Sequence, residues 1–282
     1  LSQIKNLKHV FVWILLPIII FEIFIPVYKF FEIISFVEYS FMYANDLKTF
    51  TPNKNITAAI ITSHIGFFFM LKYYLKKLEW LFIVLIFIST TVIFFLSARA
   101  SIIGLILSLI LVYIITFIKK RENIVFVNKV CLSVVFGFFV SNLYLGGNNT
   151  ASLQNRLTSV NTEDKSTNQR VTFYKHGIQH LLKNPLIGIG IGNWKLKSIE
   201  YNSQNIENYI VPYHLHNDFL QYGTETGVIG MFLYLSIFLV VLLINIRRVN
   251  KNYFLSISLI ISISILFIDS NLNFPHHRPI MM

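Results

Sequence analysis

The sequence predicts an all-α, polytopic integral membrane protein, and three observations carry that prediction. Apolar runs of bilayer length recur along the chain. The composition is 55% hydrophobic and 16% aromatic, with a mean hydropathy of +0.62. Only 13% of the 282 residues are charged. A water-facing exterior needs more charge than that, whereas a lipid-facing one does not. A hydrocarbon core is crossed by about 20 apolar helical residues, because a helix satisfies its own backbone where water is absent.

Seven spans follow in order, near 10–28, 56–71, 80–97, 101–118, 124–145, 226–246 and 252–269, forming a single membrane domain over 1–282. Each is long enough to cross when tilt is allowed. Segment 30–44 is also aromatic and apolar, but Glu32 and Glu38 place it at the interface or as a re-entrant piece rather than as an eighth crossing. Between the fifth and sixth spans lies a loop over 146–215, too long for a simple connector. Gly146-Gly147-Asn148-Asn149-Thr150 reads as turn, and 161–168 as solvated coil. From Arg170 onward, Val171, Tyr174, Ile178, Leu181 and Leu182 recur at helical spacing until Asn184-Pro185. That pattern predicts an amphipathic helix on the membrane surface. Gly188, Gly190 and Gly192 then alternate with Ile, which permits close backbone approach or a tight turn. Without a preceding strand or the right spacing, they are no dinucleotide fingerprint.

The formal charge of +11 comes largely from short clusters at span ends, where cations anchor topology, so no nucleic-acid partner is expected. Placing Lys5 and Lys8 in the cytoplasm puts three more clusters there by alternation: Lys72, Lys76 and Lys77; Lys119, Lys120 and Arg121; Arg247, Arg248 and Lys251. The 29–55 connection, the Arg99 turn, the 146–215 loop and Pro275-His276-His277-Arg278-Pro279 then share the opposite face. Cys131 is the only cysteine, which excludes an intramolecular disulfide and a cysteine metal cluster. The chain opens on Leu1 without a cleavable signal-peptide pattern, and is expected to be a piece of a larger protein.

Several polar residues on that shared face could carry chemistry. Arg99, in Ser97-Ala98-Arg99-Ala100-Ser101, separates two spans by almost nothing and sits at headgroup level. It either snorkels to lipid phosphates or serves as a fixed cation for a phosphorylated lipid. Arg170 opens the predicted loop helix, where the dipole prefers an anion; the alternative is a solvated loop arginine. Arg156, Lys175, Lys183, Lys195 and Lys197 are surface charges that hold the loop near anionic membrane lipids. His216 is the leading candidate base, since imidazole titrates near neutrality and can take a hydroxyl proton; the alternative is an interfacial polar residue. His214 competes with it, and Asn217 or Asp218 could orient a ring or cap the next helix. Glu225 is either a second carboxylate, a helix-terminal cap or an arginine partner. His214, His216, His276 and His277 lack a carboxylate or cysteine at ligand spacing, so no metal and no cofactor is assigned.

Taken together, Ser-Ala-Arg-Ala between two helices, Arg170 on the loop helix, Asn184 through Trp194, His216-Asn217-Asp218-Phe219-Leu220-Gln221 and Glu225-Thr226-Gly227-Val228-Ile229-Gly230 resemble the O-antigen ligase and polymerase family of bacterial inner-membrane glycosyltransferases. The resemblance covers about 90 to 270. It implies a metal-independent transfer of a glycan from undecaprenyl diphosphate to a sugar hydroxyl on the periplasmic side, the acceptor being another glycan or a lipid A core. Carried over, Arg99 and Arg170 bind the diphosphate and His216 deprotonates or orients the acceptor. Bidentate guanidinium contacts suit phosphate oxygens. His214, Asn217, Glu225 and Arg278 are second-rank substrate-binding candidates, and Arg278 does not align with the family pattern. The motifs do not separate ligase, polymerase and protein-glycosylating branches. A lipid-linked oligosaccharide flippase or other transporter is the rival reading, disfavoured by the few charges within the spans. A structural scaffold is disfavoured by the long helix-bearing loop.

Overall fold

A computed structural model describes residues 2–145, 165–202, 213–273 and 275. Among them are nine α-helices and no strand: α1 Ser2–Ile34, α2 Lys54–Tyr74, α3 Glu79–Leu96, α4 Arg99–Lys119, α5 Ile124–Leu145, α6 Lys165–Lys183, α7 Trp194–Asn202, α8 Asp218–Arg248 and α9 Tyr253–Leu272. Seven of these, α1 to α5, α8 and α9, contain segments long and apolar enough to cross a bilayer, the number expected from hydropathy. The protein is all-α and passes the membrane several times.

Segment 30–44 divides differently from the sequence expectation. The first helix continues to Ile34, carrying Glu32 on an exposed surface, and ends as Ser35 and Val37 donate backbone N–H groups to Phe31 and Ile33. Its chain then folds back through a 3₁₀ turn at Phe41–Asn45. Aromatic packing drives this return. Phe30 stacks on Phe95 with centroids 4.1 Å apart, Tyr39 meets both rings edge-on, and the Tyr39 hydroxyl donates to the Phe95 carbonyl at 3.1 Å. Such rings prefer offset or edge contacts, which a simple helix continuation could not supply here.

The chain divides into two compact units, Leu1–Thr158 with Leu242–Ile265 and Ser159–Val241 with Leu266–Met282. In the first, α3 packs most closely on α5 and next on α2. Gly137 permits the α3–α5 approach, because a Cβ there would stand 2.5 Å from Thr90 Oγ1. Small residues at such crossings let backbones approach where lipid offers no hydrophobic drive. The α2 helix is capped by Asn53, whose Oδ1 accepts from the Asn55 and Ile56 amides at 3.0 and 3.2 Å.

One ion cluster ties three of these helices together. Glu79 at the head of α3 accepts from Lys129 Nζ on α5 at 2.6 Å and from Lys72 Nζ at the end of α2. Lys129 also lies over the Trp80 ring, 4.7 Å from its centroid. Removing the shared carboxylate leaves two partly buried ammonium groups facing one another. Glu79→Ala is expected to cost about 1–3 kcal/mol, between the values for exposed and buried pairs, and a lowered detergent melting temperature with unchanged helix content checks it.

Candidate active site

The second unit is organised by the entry into α8. Asn217 caps that helix, its Oδ1 accepting from the Leu220 amide at 2.9 Å, while its Nδ2 donates to the Asn271 carbonyl at 3.1 Å. The next carbonyl, Leu272, receives Arg170 Nη1 at 2.9 Å. Two adjacent carbonyls at the end of α9 therefore hold the His216-Asn217 corner and the Arg170 guanidinium together. These carbonyls form the negative pole of α9, which suits a cation.

Tyr174 completes the link one turn further along α6. Its hydroxyl donates to the His216 carbonyl at 3.0 Å, and the Phe173 ring lies nearly parallel to the His216 ring at 6.5 Å. Residues 170, 173 and 174 share one helix face by the i, i+3, i+4 rule. Burial holds the Tyr174 phenol above its ordinary value, partly offset by the Arg170 charge, so it stays a donor. His216 itself has φ of +57°, a left-handed conformation that side chains other than glycine adopt only where their surroundings fix it.

A second polar chain runs from His214 through Gln221 to Glu225. Gln221 Oε1 accepts from the Leu215 amide at 3.2 Å, and its Nε2 donates to Glu225 Oε1 at 3.2 Å and lies 3.5 Å from His214 Nδ1. Glu225 is 4% exposed, and its carboxylate accepts from the amides of Gly192 at 2.9 Å and Trp194 at 3.4 Å. It thus caps the N-terminus of α7, where the dipole favours an anion. Nearby, Asp218 is buried and accepts from the Tyr234 hydroxyl at 3.4 Å, which also contacts Ser270 Oγ at 3.2 Å.

The glycine-rich loop is fastened to a break in α8. Gly227 has φ of +77° and ψ of −177°, interrupting the helix after Thr226. The freed carbonyls of Thr224 and Glu225 accept from Ile189 at 3.1 Å and Gly190 at 2.8 Å, and Val228 donates to Pro185 at 2.8 Å. At Gly188 a Cβ would lie 2.5 Å from the Glu225 carbonyl carbon, so only glycine allows this approach.

The third element of the unit is a ring cluster between α6 and α7. His180, buried, receives Asn184 Nδ2 at its Nε2 and shares its Nδ1 with the Tyr201 hydroxyl, both at 3.3 Å. His176 stacks on Tyr201 with centroids 5.1 Å apart. Burial pushes both imidazoles below their ordinary 6.5; at His180 the Lys197 and Lys183 charges add to this, against Glu200. The folded state therefore favours neutral rings, and the unfolded chain binds more protons once the pH drops below 6.5. This share of stability is complete above 6.5 and is lost as pH falls through the lower folded values. The protection factors of α6 and α7, which are exchange rates corrected for the slowing of the chemical step on acidification, are expected to fall between pH 7.5 and 5, less so in His180→Gln.

Arg170, His216, Asn217, His214 and Glu225 thus fall in one unit, with Arg170 and His216 linked through Tyr174. Arg99 belongs to the other. It is the first residue of α4, half-buried, following a two-residue turn in which Ser97 takes φ of +49° and its hydroxyl and amide both donate to the Phe94 carbonyl at 3.0 Å. Arg278, His276 and His277 lie outside the described residues. The loop helix starts at Lys165, so Arg170 occupies its second turn rather than its opening. Within this helix Gly177 and His180 are buried, while Val171, Ile178 and Leu182 of the apolar stripe are exposed. Tyr174 and Gln221 were not singled out as site residues from sequence. The signal for Tyr174 was its spacing of four from Arg170.

These features define a multi-pass membrane protein with a helical unit presenting a guanidinium and an imidazole beside a broken transmembrane helix. The O-antigen ligase family model matches residues 81–235, more than half of the chain, and the chain belongs to that family. No curated protein gives a significant match. The matched region takes in Arg99, Arg170, His214, His216, Asn217 and Glu225. Membership brings a glycosyl-transfer role in surface-polysaccharide biosynthesis, with lipid-linked glycans as the substrate class.

Proposed function

We propose that this protein transfers a glycan from undecaprenyl diphosphate to a sugar hydroxyl at the periplasmic face of the bacterial inner membrane, as a surface-polysaccharide ligase or polymerase. The observation that carries this reading is the Tyr174 bridge joining Arg170 to the His216 corner, within the region matched by the family model. The basic clusters at alternate span ends support the sidedness.

His216 takes the proton of the acceptor hydroxyl as its oxygen bonds to the anomeric carbon of the donor glycan. The bond from that carbon to the diphosphate breaks, and undecaprenyl diphosphate leaves with the added negative charge. Arg170 meets that charge as it develops, the condition under which a fixed donor lowers a barrier, by roughly 3 kcal/mol. Imidazolium then returns its proton to solvent. Arg99 is assigned to the same diphosphate from its Ser-Ala-Arg-Ala context, and Arg278 and His214 to the substrate in second rank. Asn217 and Glu225 act through position, since both side chains hold backbone groups.

The test is an assay of membranes bearing the full-length protein, given a lipid-diphosphate-linked glycan with either a core lipid or a second repeat unit as acceptor. Transfer by the parent and none by His216→Ala supports the reading, and the productive acceptor separates ligase from polymerase. Donor movement across the membrane without transfer would place the protein among the flippases instead.

A further inference from the structure

We propose that the 185–192 loop is a wedge inserted into the acyl-chain boundary of an anionic bilayer, fixing the height of the second unit at the membrane surface. Its tip carries Leu186, Ile187 and Ile191, which are 68%, 83% and 78% exposed. Three large aliphatic side chains held this far out within six residues signal an apolar partner. The loop is not free to fold them inward, because the backbone bonds of Ile189, Gly190 and Pro185 fasten it to α8.

Two observations identify that partner as lipid. The loop is bonded to Val228, and the adjoining stretch of α8 exposes Ile229, Phe232 and Leu233, a surface that in a membrane-crossing helix is covered by hydrocarbon. The tip is therefore tethered where the lipid-facing surface of α8 begins. On either side of the loop stand exposed Lys183 and Lys195, cations that suit anionic headgroups. Aliphatic tip and basic rim together match an interfacial anchor. The inference does not depend on the transfer chemistry.

The full-length protein, with Cys131→Ser, is labelled with a nitroxide at Ile187→Cys in vesicles of phosphatidylethanolamine and phosphatidylglycerol. Ile191→Cys is a second tip position, Ile229→Cys the lipid-facing reference and Glu200→Cys, whose side chain is exposed, the aqueous one. Power saturation is expected to give both tip labels the preference of Ile229→Cys, oxygen over a water-soluble nickel chelate, reversed from Glu200→Cys. That preference should weaken without phosphatidylglycerol. Chelate access equal to that of Glu200→Cys would overturn the proposal. Protection from both reagents would also overturn it, pointing to a protein surface or a second copy on the tip.

Discussion

Replacing His216 with alanine is expected to lower glycan transfer by roughly 10²–10⁴-fold at saturating donor and acceptor, the usual contribution of a positioned general base. Folding should survive, because Tyr174 holds the corner through the His216 carbonyl and Asn217 caps α8, neither of which uses the imidazole; the Phe173 ring contact is lost. His216→Asn is the sharper variant: asparagine tolerates the φ of +57°, so strain is not added, but it supplies no base. Both should lose kcat with little change in KM, whereas Arg170→Lys should raise KM for the donor as well as lower kcat. Lysine keeps the charge and can still reach the Leu272 carbonyl, but it lacks the planar fork that grips a diphosphate. A kcat unaffected by His216→Asn would remove the histidine from the chemistry and leave it as a structural corner.

The spans were legible in the sequence because one force dominates them. Hydrocarbon accepts only long apolar helices, so hydropathy located all seven. Elements shaped by contacts far along the chain were less legible. At α6, apolar spacing selected Val171, Tyr174, Ile178, Leu181 and Leu182 as a membrane-facing stripe, but it carried no sign of the protein-facing side formed by Tyr174, Gly177 and His180, whose partners are His216, Leu215 and Tyr201. Its start at Lys165 was obscured by Ser166, Thr167 and Asn168, residues that favour caps and turns over helix interiors. Among the site candidates, Arg170 and His216 were readable as lone polar groups, but the tyrosine joining them had been counted as an apolar position. Glu225 was left between a second carboxylate, a cap and an arginine partner, and nothing near it in the sequence signals its contact with Gly192, 33 residues earlier.

Gly227 is where a single methyl group is expected to do the greatest structural damage. Val228 has two possible acceptors: the Thr224 carbonyl of a continuous helix, or the Pro185 carbonyl that it uses in the folded protein. The second requires the backbone of Gly227 at φ of +77° and ψ of −177°, a region essentially reserved for glycine. An added Cβ would also stand 2.2 Å from the Leu186 carbonyl oxygen, closer than packing permits. Alanine further favours the continuous helix by about 1 kcal/mol of intrinsic propensity. These terms act in one direction, and Gly227→Ala is expected to destabilise the loop-to-helix junction by about 3–5 kcal/mol. Straightening α8 would return the Thr224 and Glu225 carbonyls to the helix and release Ile189 and Gly190. Their amides should lose exchange protection, buried Trp194 should shift its emission to the red, and transfer should fall with them. Gly192→Ala supplies the control, because its Cβ meets nothing within 4 Å and carries only the left-handed strain, about 1–2 kcal/mol. If both variants protected Ile189 and Gly190 equally, the break at Gly227 could not be what fastens the loop to α8.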